Sequence, residues 1–349
     1  MATESGLSMA AKLGTNTSGQ AVGAPTTSAA TTTTATATAV YDGVMGEFVN
    51  DAIVATSSVA LIGSFFWVPA CLWWVWRNKC KSRRRKILFL GCLVLVFAAP
   101  LPVDRRVTKF ALWNRFLRYF SSRAVGEVET SRRQALFCLV PHGIFPFGIA
   151  LSSLSTRLNE TAFNSLRPVV ASIMVRTPIV GHVLRLIGAV KASPGAMDDA
   201  LRQGHSLGLA PGGIGEIFLD GESKKEFALI KGHKGFVRRA MAHGVPLVPV
   251  YVFGNTETFK RVPLPAVVES LSRLLKASIV LFWGRWGLPV PFKVPLTFAF
   301  GKPLEVERNP SPTPDQVDEL HTRFCEALTE VFDRFKKDYG WGEKRLELR

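Results

Sequence analysis

From Ala52 to Trp76 the chain carries no charged residue. At helical rise such a run is long enough to cross roughly 30 Å of hydrocarbon. Trp67, Trp73, Trp74 and Trp76 crowd its C-terminal end, where indoles prefer the headgroup layer. A second apolar run, Ile87 to Ala99, stops at Pro100 and Pro102 and is short for a full crossing. Together they predict an N-terminal membrane hairpin over 46–103, a transmembrane segment followed by a re-entrant one. Two spans with both ends on one side are the competing arrangement. Next, Phe110, Trp113, Phe116, Leu117 and Phe120 share a helical face opposite Asn114, Arg115 and Arg118. This predicts an interfacial amphipathic helix within 104–125; a buried helix of the following domain is the alternative.

From about Ala135 short apolar runs alternate with helical periodicity. Ala135–Val140, Val169–Val175, Leu207–Ala210, Leu247–Phe253 and Leu296–Phe300 read as strands. Pro178–Ile187, Ala196–Gln203, Gly235–His243, Ala266–Leu275 and Asp315–Lys337 read as helices. Strands alternating with helices predict an α/β domain over 126–349, a mostly parallel sheet flanked by helices. Residues 1–45 are Thr/Ala/Ser/Gly-rich, with a Thr/Ala run from Ala29 to Ala39, and read as a disordered tail. Their hydroxyls also fit an organelle transit peptide, though they lack its arginines.

Charge adds direction. The formal net charge of the 349 residues is +16, which points to an anionic membrane surface or a phosphorylated ligand. The long apolar runs argue against nucleic acid. Lys79, Lys81, Arg83, Arg84 and Arg85 precede the second run; Arg105, Arg106, Lys109, Arg115, Arg118 and Arg123 follow it. In the stretch just before the first run, residues 40–51, the charges are Asp42, Glu47 and Asp51. The positive-inside tendency therefore places both basic blocks in the cytosol. The five cysteines show neither a CxxC pair nor zinc-ligand spacing, so they read as reduced thiols, with no metal and no disulfide framework.

Three constellations could carry chemistry. Pro141-His142-Gly143 follows a strand directly and presents an imidazole at the sheet edge, where it can take a hydroxyl proton at neutral pH; the plain alternative is a His capping a turn. Ala210-Pro211-Gly212-Gly213-Ile214-Gly215-Glu216 follows another strand. Its glycines let backbone N–H groups approach an oxyanion, with Glu216 as a carboxylate beside them; the alternative is a tight loop with a solvated Glu. Lys231, Lys234, Arg238 and Arg239 surround a helix start, a cradle for the phosphates of CoA or else a solvated basic face. Gly204-His205-Ser206-Leu207-Gly208 matches the G-x-S-x-G elbow of lipases. That elbow needs a strand before its serine, whereas here the strand comes after it.

The order Pro-His-Gly, Pro-Gly-Gly-x-x-Glu, Lys-Gly-Phe-Val, Leu-Val-Pro-Val-Tyr-Val-Phe-Gly (Leu247–Gly254) and Gly-Lys-Pro (Gly301–Pro303) resembles the type-2 diacylglycerol acyltransferase family, over roughly Leu136 to Val306. The resemblance implies a glycerolipid-acyltransferase-like fold and acyl transfer from acyl-CoA, a co-substrate with no further cofactor, to a neutral acylglycerol. It implies His142 as catalytic base and Glu216 as essential. Pro141, Gly143, Pro211, Gly212 and Gly213 then line the substrate site, with Gly212 and Gly213 holding the oxyanion and Lys231, Lys234, Arg238 and Arg239 gripping CoA. Two departures stand out. Many members have His-Pro-His-Gly, where this chain has Val140 before Pro141; related enzymes place an Asp five residues after the base, where this chain has Phe147. The partner that orients His142 is thus open, with Glu216 first and Asp220 or Glu222 behind it. Because the loop Pro211–Glu216 carries no cation, the expected acceptor is diacylglycerol, then monoacylglycerol or a long-chain alcohol, ahead of a lysophospholipid; a serine lipase is the outlying alternative. The implied setting is the endoplasmic reticulum membrane with a cytosolic catalytic domain, or lipid droplets, with a plastid envelope as the alternative. A homo-oligomer is left open.

Overall fold

In the computed structural model of the chain, the described residues are 44–98, 102–127, 133–163, 165–219, 224–263 and 280–349. The tail up to residue 43 and the expected helix Ala266–Leu275 lie outside them. Helices α1 (Val44–Leu61), α2 (Ser64–Asn78), α3 (Arg83–Ala98) and α4 (Ala111–Tyr119) come first. Strands β1 (Arg123–Gly126) and β2 (Leu136–Val140) follow, then helices α5 (Phe147–Leu154) and α6 (Thr156–Ala162). Next are β3 (Arg167–Val170), α7 (Val180–Leu186), β4 (Val190–Lys191), α8 (Pro194–Arg202), β5 (Leu207–Leu209), β6 (Lys225–Ala228), α9 (Gly235–His243) and β7 (Leu247–Phe253). The chain continues through β8 (Lys260–Arg261), β9 (Phe282–Trp283), β10 (Thr297–Phe300), α10 (Pro314–Tyr339) and β11 (Arg345–Leu348).

Among the described residues the main sheet has the order β1-β10-β7-β2-β5-β3-β4. From β7 to β4 every neighbouring pair is parallel; β10 meets β7 antiparallel and carries β1 parallel to itself. β2 and β7 are buried at every position, because both sheet faces are covered, and strands so placed read as unbroken apolar runs. Alternate residues serve opposite layers. Phe137, Leu139, Val250, Val252 and Phe298 pack with Phe116 of α4 and Leu151 of α5. Cys138, Val140, Tyr251 and Phe253 pack with Leu201 of α8, Val237 of α9 and Phe324 and Phe332 of α10. The expected strand Val169–Val175 is cut short: the backbone turns where Met174 N–H donates to Ala171 O, and Met174–Arg176 is a 3-10 turn.

The N-terminal region departs most from the sequence reading. No single helix among the described residues is long and apolar enough to cross a membrane. The charge-free run breaks at Ile62-Gly63, whose N–H groups both donate to Ser58 O. The segments Gly46–Leu61 and Ser64–Asn78 bend by 51° and together have the length and composition of a broken span or re-entrant loop. One side of α1 is committed to the domain. Val54 and Ile62 are buried in the core with α4, Asn50 Nδ2 donates to Arg115 O at 3.2 Å, and Asp51 meets Arg285 at 3.0 Å and Lys293 at 3.1 Å. The expectation of a lipid-facing α4 is corrected: Trp113, Phe116, Leu117 and Phe120 are all buried in the core, leaving only Phe110 of that face exposed. The exposed apolar side chains instead collect on α2 and α3, among them Trp73, Trp74, Ile87, Leu88, Val94 and Leu95.

Candidate active site

Three adjacent parallel strands, β5, β2 and β7, end at one edge of the sheet. Parallel α/β sheets bind their ligands beyond the carboxyl ends of their strands. β2 runs through a cis Val140-Pro141 peptide into His142, β5 into the loop Ala210–Gly213, and β7 through Gly254 into Asn255. The expected Pro-His-Gly and Pro-Gly-Gly-x-x-Glu elements therefore meet, joined by an asparagine that the sequence reading did not single out.

The His142 turn is held from two sides. Glu216 Oε2 accepts the His142 backbone N–H at 2.6 Å, and its Oε1 accepts Leu229 N–H at 2.8 Å. Asn255 Nδ2 donates to Pro141 O at 2.9 Å and to His142 O at 2.7 Å. Gly143 has φ +65°, and a Cβ there would sit 2.9 Å from Asn255 Nδ2, so neither its conformation nor its packing admits a side chain. Gly212 is likewise pressed on the Glu216 carboxylate, where a Cβ would collide with it.

The orienting partner of His142 differs from expectation. Glu216 does not reach the imidazole; it binds the main chain. Nδ1 lies 2.7 Å from Gly143 O, and since a carbonyl only accepts, Nδ1 carries the proton and Nε2 is left with the lone pair. Loss of solvent pulls the His142 pKa below its ordinary value, partly offset by the Gly143 bond, so the ring is neutral at pH 7. Burial pushes Glu216 up to about 7, against the two N–H bonds that favour its charge. Asp220 and Glu222 lie outside the described residues.

Beside this turn is a cavity of about 320 Å³, lined by Pro141, Gly143, Ile144 and Glu216 together with Glu226, Phe227, Thr256 and Phe259. Lys260 and Arg261 also line it. The basic group expected to grip CoA does not. Lys234 pairs with Asp318 at 2.7 Å, and Arg239 is bound to Asp198, which also takes His243. Lys231 and Arg238 are exposed. In the glycine loop, Gly213 N–H is already donated to Ala210 O at 3.1 Å. Ser206 is buried at the start of β5, its Oγ accepting Ala135 N–H at 3.2 Å, so it sits at the opposite end of the sheet from His142 and leads into a strand.

Asn255 had one legible signal, its place just after a run buried on both faces. Glu226, Thr256 and Lys260 had none, since each gains its position only when short strands close around the cavity.

A sequence profile described as "Diacylglycerol acyltransferase" matches residues 81–349. The chain is 30% identical over 284 residues to diacylglycerol O-acyltransferase 2 of Homo sapiens, covering 74% of this chain and 72% of that protein. It is 30% identical over 277 residues to 2-acylglycerol O-acyltransferase 1 of Bos taurus, covering 72% and 81%. Among solved structures, the 1-acyl-sn-glycerophosphate (LPA) acyltransferase of Thermotoga maritima aligns over 82% of this chain and 95% of that one. Its identity is 12% and its TM-score 0.42, too loose a likeness to carry an argument.

Proposed function

The chain belongs to the diacylglycerol acyltransferase family, and on that premise we propose that it transfers a fatty acyl group from acyl-CoA to the free hydroxyl of diacylglycerol, forming triacylglycerol. The observation that carries the reading is the state of His142: a neutral imidazole, its Nδ1 proton committed to Gly143 O, at the carboxyl edge of a parallel sheet beside a cavity. Nε2 takes the proton of the acceptor hydroxyl as the oxygen attacks the thioester carbonyl carbon. The C–S bond then breaks, and the imidazolium returns the proton to the departing CoA thiolate. With Gly213 N–H spent on Ala210 O, the Gly212 N–H remains as the loop's donor to the oxyanion. Glu216 is a brace in this scheme: it fixes the backbone of the base and touches no reacting atom.

The 2-acylglycerol O-acyltransferase relative supports a second acceptor, monoacylglycerol. Both acceptors are neutral, which suits a glycine loop without a cation and access from a lipid phase. The exposed apolar face of α2 and α3 supports a bilayer as the setting. Lys79 and Lys86 lie 5.5 and 5.2 Å over the rings of Trp74 and Trp76, the pairing of cation and indole found at headgroup depth. We propose an endoplasmic reticulum membrane or lipid droplet as the setting, with the catalytic domain in the cytosol.

The test uses membranes holding wild type or His142→Ala, supplied with labelled acyl-CoA and either diacylglycerol, monoacylglycerol or lysophosphatidic acid. Wild type should label triacylglycerol, and the variant should lose roughly two to four decades of rate. Undiminished turnover in the variant would remove His142 as the base. Preference for lysophosphatidic acid would overturn the neutral acceptor.

A further inference from the structure

The cavity lining contains a second carboxylate that the mechanism does not use. Glu226 is 2% exposed although it stands on the four-residue strand β6. Its two oxygens have different partners. Oε1 accepts from Lys344 Nζ at 2.6 Å, and Oε2 accepts from Thr256 Oγ1 at 3.2 Å. Lys344 immediately precedes β11, which pairs in parallel with β6. It also lies 3.7 Å over the Trp341 ring and 3.6 Å from Glu257.

Thr256 follows Asn255, the residue that clamps the carbonyls of Pro141 and His142. A continuous set of polar contacts therefore runs from Lys344 through Glu226 and Thr256 to the turn Asn255–Glu257, and from there to the backbone of the base. Stability alone does not account for it. A buried ion pair contributes little over an apolar pair of the same volume, and this one faces the cavity where apolar lining would serve a lipid acceptor at least as well.

We propose that Glu226, held by Lys344, is a positioning residue for the acyl-transfer reaction, fixing the Asn255 clamp and through it the His142 turn. The proposal rests on the function given above and adds to it a role for β11: the lysine just before that strand completes the catalytic arrangement. Neither residue touches the reacting atoms.

The test compares wild type with Thr256→Val, Lys344→Met, Lys344→Arg and the double variant Thr256→Val/Lys344→Met, all in the full chain in membranes. Thr256→Val keeps the side-chain shape and removes only the link, so its thermal midpoint should fall only slightly, by the loss of one hydrogen bond. Its kcat should fall roughly ten- to a hundredfold, the scale of a misplaced catalytic group, while KM for acyl-CoA stays within about twofold. Lys344→Met should show the same split, Lys344→Arg should regain most of the rate, and the double variant should be no slower than the slower single one, because both act on one path. Wild-type kcat in Thr256→Val would overturn the proposal, leaving the pair as structure only. A raised KM with kcat unchanged would overturn it too, making the wall a binding surface. Absence of acyl transfer by wild type would instead sink the function itself.

Discussion

At the scale of single residues, Glu216 is a carboxylate almost without water whose oxygens are both taken by backbone N–H groups. That arrangement has a cost which depends on pH. Burial raises its pKa from 4.5 to about 7, so the folded state holds the proton more tightly than the unfolded one. Stability from this group is fully present below pH 4.5 and is lost as pH rises through about 7. At about 1.4 kcal/mol per unit, the full change is about 3.5 kcal/mol. Glu216→Gln cannot ionise, and its stability should stay flat over the same window. Denaturation at pH 4.5, 6, 7 and 8 should show wild type losing ground against the variant by roughly that amount. A constant difference between the two would mean that water reaches the carboxylate. His142 shifts the other way, and its neutral form extends below the usual histidine range.

At the scale of elements, β5 separates two readings that share five letters of sequence. Ser206 immediately precedes the strand, and its hydroxyl accepts the Ala135 N–H just before β2. The five residues of β2, at about 3.3 Å each, put roughly 16 Å between that end and the His142 end. Ser206→Ala should leave acyl transfer unchanged and cost about 1 kcal/mol for the lost hydrogen bond, read by activity and a denaturant melt on the same preparation. Loss of all activity with full stability would restore the hydrolase alternative. The inverted strand order is legible in the sequence, as are β2 and β7, since strands covered on both faces leave continuous apolar runs. β6 and β11, Lys225–Ala228 and Arg345–Leu348, were not legible. They are four residues long and half charged, and they are strands only because they pair with each other. The same holds for the orienting contact of His142: sequence names the imidazole, but a bond from Nδ1 to the next residue's carbonyl depends on the φ of Gly143. The α4 stripe was read correctly as amphipathic, and periodicity could not say whether protein or lipid covers it.

At the scale of the whole molecule, the apolar surface is divided. α1 is docked through Val54, Ile62 and the Asp51 ion pairs, while α2 and α3 present Trp73, Trp74, Ile87, Leu88 and their neighbours outward. Deleting residues 64–98 and joining the ends with a short Gly/Ser linker should release the protein from membranes in an alkaline carbonate wash, with wild type retained. Retention of the deleted form would assign membrane contact to another surface. Distance along the chain also matters to the cavity. β6 and β11 lie about 120 residues apart, and synthesis at about 5–20 residues per second delivers the second strand roughly 6 to 24 s after the first. Through that interval a nascent chain already carries His142 and Glu216 but has no Lys344 to meet Glu226. Until β11 is made, β6 has no strand to pair with and Glu226 no cation, so this part of the cavity lining is completed only then.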